Sequence, residues 1–133
     1  MKVGMVTVRG SPSASGAVLE PIVSPVRDLV IDGQEAYTDG MAVTTTPTVS
    51  WTPPIVGPPD GYIVIVAPDS GPHTSFVTTG TTVTFPTGVL VSGQPHTVMV
   101  LSAVRGGARV DQRPFASDLP FGLAPALSGV FTP

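Results

Sequence analysis

Sixteen prolines punctuate the 133 residues, and between Pro12 and Pro125 no proline-free stretch carries an apolar stripe of helical period. A proline inside a helix removes a backbone donor and clashes with the preceding turn, at a cost of about 3 kcal/mol. Helix is therefore nearly excluded. What lies between the prolines and the fifteen glycines is a series of short apolar runs at fairly regular intervals, the pattern of many short strands joined by turns.

Apolar residues make up 41% of the chain and charged ones 11%, a globular composition with room for one domain and some tail. The net charge of −3, with one Lys and five Arg, argues against nucleic acid as a partner. Zero Cys removes disulfides, thiolate nucleophiles and Cys-based zinc sites together. The absence of Asn removes any N-glycosylation acceptor. Gly4, Thr7 and Arg9 break up the N-terminus too early for a signal peptide, and no run reaches membrane-spanning length. A soluble chain without membrane insertion is expected.

Residues 1–24 read as an N-terminal extension. Val3, Met5, Val6 and Val8 favour a short strand, and Ser11 to Gly16 a flexible linker; a tail of a neighbouring region explains them equally well. From Pro25 onward the strand signals are regular. Val26 to Ile31 stops at Asp32-Gly33, a turn signal. Val49 and Trp51 alternate with polar neighbours and should face a core, and the prolines at 53 and 54 end that strand. Tyr62 to Ala67 is apolar on both faces, as expected of a central strand. His73 to Thr78 and Thr81 to Pro86 read as a Thr-rich hairpin around Gly80. The longest alternation, His96, Val98, Val100, Ser102 and Val104, ends at Arg105-Gly106-Gly107, and Val110 to Phe115 is expected to pair back with it. Leu127 to Phe131 then extends the edge. About seven such strands without a helix predict an all-β, seven-stranded, two-sheet antiparallel sandwich over residues 25–133, with the N-terminal segment as an extra extended piece.

Four pieces of this span resemble the fibronectin type III domain. Pro25 to Ile31 looks like its first strand, Val49 to Pro54 like its second with the core Trp51, and Gly61 to Val64 like its third. Leu90-x-x-Gly93-x-x-His96-x-Val98-x-Val100 has the spacing of that family's tyrosine corner and sixth strand, with His96 where Tyr is expected. The stretch from Phe85 to Leu90 is about two residues longer than the family norm. The resemblance implies three strands packed against four. It also implies a non-catalytic module used as a spacer, for adhesion or for contact with other domains of the same chain or another protein, in an extracellular or surface setting. Trp51, Tyr62, Leu90, His96, Val98 and Val100 would then be core.

Chemistry is thinly represented. His73 sits in a proline-flanked loop and His96 among core positions, and no nucleophile-elbow pattern accompanies either. Asp69-Ser70-Gly71 resembles the Asp-Ser/Thr-Gly element of aspartic proteases, where two carboxylates share one proton, but prolines bracket the triplet and a plain turn explains it. A small hydrolase using Asp69 or His73 is the alternative function. Seven aspartates are scattered singly, so no metal is implied, and no cofactor either. Arg105-Gly106-Gly107 lies where some fibronectin domains carry an integrin-binding Arg-Gly-Asp triplet, yet lacks its carboxylate. Contacts are expected on the loops Pro54 to Gly61 and Val104 to Asp111, with Asp60, Arg105, Arg109 and Asp111 as candidate residues. Glycan is a further candidate partner, less favoured because Trp51 is assigned to the core. Pairing of residues 2–9 with a neighbouring copy's sheet edge is a third reading.

Overall fold

The computed structural model describes residues 7–9, 20–106, 112 and 121–133, and every regular element among them is a strand. One sheet contains β2 (Arg27–Ile31), β3 (Gln34–Glu35), β5 (Thr48–Thr52) and β8 (Thr82–Thr84) in the order β3-β2-β5-β8. The other is built on β9 (His96–Arg105), with β6 (Gly61–Pro68) on one side and β10 (Phe121–Leu127) on the other; β7 (Thr74–Thr78) flanks β6. On the β10 side the ladder breaks at Ser128 and resumes at β11 (Phe131–Thr132), where Phe131 pairs with His96. Ser128 bridges the break: its N–H donates to Val98 C=O, and its hydroxyl accepts from Val98 N–H, each at 2.8 Å. Two short strands cover the outer edge, β1 (Thr7–Arg9) antiparallel to β10 and β4 (Met41–Ala42) parallel to β11.

Inward positions are the alternate residues that the sequence marks. Leu29, Ile31, Val49 and Trp51 of one sheet meet Tyr62, Val64, Val66, Val98 and Val100 of the other, all buried. Trp51 packs edge-on against Tyr62, ring centroids 5.2 Å apart at 65°, a favoured aromatic geometry. Burial pushes the Tyr62 phenol above its ordinary value, and the neighbouring Trp51 indole pulls the other way, although that contact falls short of hydrogen-bond geometry.

Three expectations change. The described residues form eleven strands because the ladders include rungs of two or three residues. The Thr-rich pair does not form a hairpin: β7 joins β6 and β8 joins β5, so the turn at Gly80 crosses between sheets. Burying Phe85 explains the crossing, since it stacks on Phe76 across the core at 5.2 Å and 13°. The strand returning along β9 is Phe121–Leu127; the expected Val110 to Phe115 lies, apart from residue 112, outside the described residues. Among the described residues β1 pairs only with positions 121–123 of β10, so no described strand asks Pro125 for a backbone donor on that side.

The Asp32-Gly33 turn is a two-residue hairpin between Ile31 and Gln34, with φ of 49° and 79°, the backbone of a type I′ turn. The Asp32 carboxylate reaches across to the next loop and accepts from Thr44 N–H (2.8 Å), Thr44 hydroxyl (2.7 Å) and Thr48 N–H (2.9 Å). Burial by itself would raise its pKa, but these donors outweigh burial and hold it below the usual carboxylate value. A depressed folded-state pKa means stability present above the unfolded value of about 3.9 and lost as pH falls through the folded one. Asp32→Asn, which cannot reproduce the three acceptances, is expected to cost about 1 kcal/mol at pH 7 after allowing for partial exposure. Urea unfolding at pH 7 and at pH 3 checks this: the variant's deficit should shrink at the lower pH.

The outer faces of the two sheets differ in kind. On β5 and β8 the outward residues are Thr48, Ser50, Thr82 and Thr84, and the Thr48 and Thr84 hydroxyls bond at 3.0 Å. On the larger sheet the outward row is Val77, Ile63, Leu101 and Pro125, followed by Ser75, Ile65, Met99 and Leu127. The two described sheets already face each other across the core, so no described strand is left to cover that face.

Candidate functional site

Two loops emerge together at one end of the sandwich because β6 starts beside the end of β9, Gly61 opposite Ala103. Asp60 fastens them: its N–H donates to Ala103 C=O at 2.8 Å, and its carboxylate accepts Arg105 N–H at 2.6 Å. Arg105 is only 9% exposed, and its guanidinium lies 6.0 Å from the Phe121 ring, so it forms the wall of this end and does not project from it. Of the four candidate contact residues the structure thus brings Asp60 and Arg105 together, while Arg109 and Asp111 lie outside the described residues.

Residues ahead of Pro25 complete this end. Ser24 hydroxyl accepts the N–H groups of Ile55 and Val56 at 3.1 Å each, and Ser24 N–H donates to Val56 C=O at 3.0 Å. Val23 is fully buried. Gly57, at φ +70°, lies so close to Ile22 that an added Cβ would sit 1.9 Å from its carbonyl oxygen. Held by Ser24 and flanked by prolines at 53, 54, 58 and 59, the loop presents Ile55 with 76% of its surface exposed. Sequence reasoning missed Ile22, Val23 and Ser24, for a contact over thirty residues leaves no periodic trace; the apolar Ile55-Val56 pair inside a turn cluster was the one local signal.

At the opposite end, a cavity of about 230 Å³ is lined in part by Pro68, Asp69, Pro95, His96 and Val130. A carboxylate and an imidazole in one cleft are what acid–base catalysis would use, so the commitments of His96 decide its meaning. Its Nδ1 lies 2.7 Å from Gln94 C=O, and Val91 N–H points at Nε2 at 3.5 Å. A carbonyl accepts and an N–H donates, which places the proton on Nδ1 and leaves Nε2 as acceptor. Both nitrogens are engaged with backbone, and the ring is 1% exposed, stacked 6.0 Å from Phe131. Leu90, at the start of the same corner, is also buried. Asp69 and His73 are exposed, and neither side chain has a partner among the described residues. No three His, Cys, Asp or Glu side chains converge among the described residues, and none of these forms a helix able to span a membrane.

No protein-family model matches the chain, and no curated protein matches it.

Proposed function

We propose that the chain is a non-catalytic structural or binding module with a fibronectin type III-like arrangement, part of a larger extracellular or surface protein, making protein contacts through the end that carries Ile55, Asp60 and Arg105. The observation that carries this reading is the pinned loop at residues 53–60, whose backbone is fixed by Ser24 and four prolines while Ile55 stands in solvent. A rigid loop with an exposed apolar tip loses little conformational freedom on binding.

Strand order supports the family-like topology: β2, β5 and β8 lie against β7, β6, β9 and the broken β10–β11 strand, three against four once the short rungs are set aside. The His96 corner supports it too, since a ring bonded to backbone at Val91 and Gln94 does what the expected tyrosine hydroxyl would do. Trp51 and Tyr62 are both buried, which favours protein over glycan as the ligand.

The hydrolase alternative is tested by screening ester, glycoside and peptide substrates with the unmodified chain and with an Asp69→Ala, His73→Ala double variant. The expected result is no turnover above buffer in either. Turnover by the unmodified chain that the double variant loses would replace the binding-module reading with a catalytic one.

A further inference from the structure

We infer that the bulge in β2 is a positioning device for the loop at residues 53–60: it turns Arg27 out of the core and onto the Pro53 carbonyl, so that the Ile55 tip is held from its entry as well as from its middle. This role rests on the reading of that loop as the contact surface, and adds the residue that sets its shape.

The register locates the bulge. Arg27 stands opposite Thr52 and Val30 opposite Ser50, three steps along β2 for two along β5, which leaves Asp28 and Leu29 together across from Trp51. Asp28 takes φ 49°, the left-handed backbone that glycine usually supplies at the first position of such a bulge. The extra residue changes which side chains face inward. Val26, Leu29 and Ile31 are buried while Arg27 is exposed, and side chains three apart cannot share one face of a regular strand. Without the bulge, β2 would put Arg27 on the inner face with Leu29 and Ile31, and Val26 in solvent. An unpaired guanidinium in that core would be far too costly, so the bulge decides where Arg27 goes.

Where it goes is the mouth of the loop. Arg27 Nε donates to Pro53 C=O at 3.2 Å, one residue past the Arg27–Thr52 pair. Pro53 and Pro54 have no N–H to offer a ladder, and their rings fix φ near about −65°, so the direction given to the Pro53 peptide passes along a stiff stretch to Ile55. Ser24, on the same segment as Arg27, accepts from Ile55 and Val56, and the buried Val26 lies between the two. Residues 24–27 therefore grip the loop twice. Left-handed backbone at a non-glycine residue is a strain that persists where the surroundings impose it, and it clusters beside functional surfaces. Bulges recur at such places because they re-aim a side chain. Here the strained residue, Asp28, adjoins the one re-aimed.

Amide exchange followed by NMR on the full chain tests the clamp. In Arg27→Ala, exchange at Ile55 and Val56 should quicken about 3- to 10-fold, the weight of one hydrogen bond, while Val64 and Val100 in the central strands keep their rates. Arg27→Met, which keeps an apolar stem without the donor, should match Arg27→Ala. Asp28→Gly retains the bulge and should leave Ile55 and Val56 as they are; Asp28→Val, whose β-branched side chain resists positive φ, should quicken both. Should Asp28→Val not fold, the other three variants decide. Unchanged exchange at Ile55 and Val56 in Arg27→Ala overturns the proposal. A rise shared equally by Val64 and Val100 does so too, since it would report a loss of global stability and not a loosened loop. The measurement needs no binding partner, so a clamped loop that contacts no protein would end the contact reading and leave the clamp standing.

Discussion

Replacing His96 with Ala is expected to destabilise the domain by about 2–4 kcal/mol, because it opens a cavity beside Phe131 and strands two backbone groups in a partly buried corner. The two contributions separate in His96→Phe. That change keeps the ring against Phe131 but removes both hydrogen bonds, and should cost about 1–2 kcal/mol. Chemical denaturation of the three proteins measures both differences. The order unmodified, Phe, Ala is the signature of a ring that serves packing and backbone satisfaction together. Equal loss in both variants would mean that the hydrogen bonds carry the whole effect, and no loss in either would remove the corner from the fold's support.

Gly57→Ala should cost a similar amount, about 2–4 kcal/mol, from two sources that act at one atom. The backbone there is left-handed, a region that disfavours a Cβ, and that Cβ would meet the Ile22 carbonyl oxygen at 1.9 Å. Backbone against backbone leaves no flexible side chain to give way. Either the loop at 53–60 shifts or Ile22, Val23 and Ser24 leave their places, and both routes loosen the bonds from Ile55 and Val56 to Ser24. Gly88→Ala provides the reference: its φ is +91°, but nothing lies within 4 Å of the added atom, so only the conformational cost of about 1 kcal/mol should appear. Thermal unfolding of the two variants side by side isolates the steric part, and amide exchange at Ile55 and Val56 should quicken in Gly57→Ala alone.

The strands that could be read from the sequence are those whose alternation is set by burial on one face. Val49 and Trp51, Tyr62, Val64 and Val66, and His96, Val98 and Val100 all point inward as their spacing implies. Asp32-Gly33 was legible for a different reason, since few residue pairs accept positive φ twice in succession. Pairing was not legible, because alternation says which face is buried and not which strand lies beside it; hence β7 and β8 look like a hairpin and belong to different sheets. Phe121–Leu127 was obscured by Pro125, which reads as a strand breaker although it pairs opposite Leu101 within the ladder. The apolar outer face was visible as Ile63 and Ile65 alternating with Tyr62, Val64 and Val66. Apolar residues on both faces read as a central strand, and β6 does lie between β7 and β9.

His96 joins these strands into one account, for the same residue separates a structural corner from a catalytic cleft. The ring of a corner has its proton on Nδ1, held by Gln94 C=O, and an unprotonated Nε2 facing Val91 N–H. Long-range ¹H–¹⁵N correlation on the full chain labelled at histidine reports the protonated nitrogen directly. The non-catalytic account requires His96 to appear as the neutral Nδ1–H tautomer at pH 7 and to keep that form in the Asp69→Ala variant. A proton on Nε2, or a tautomer that changes when the Asp69 carboxylate is removed, would show an imidazole turned toward the cleft and would contradict it.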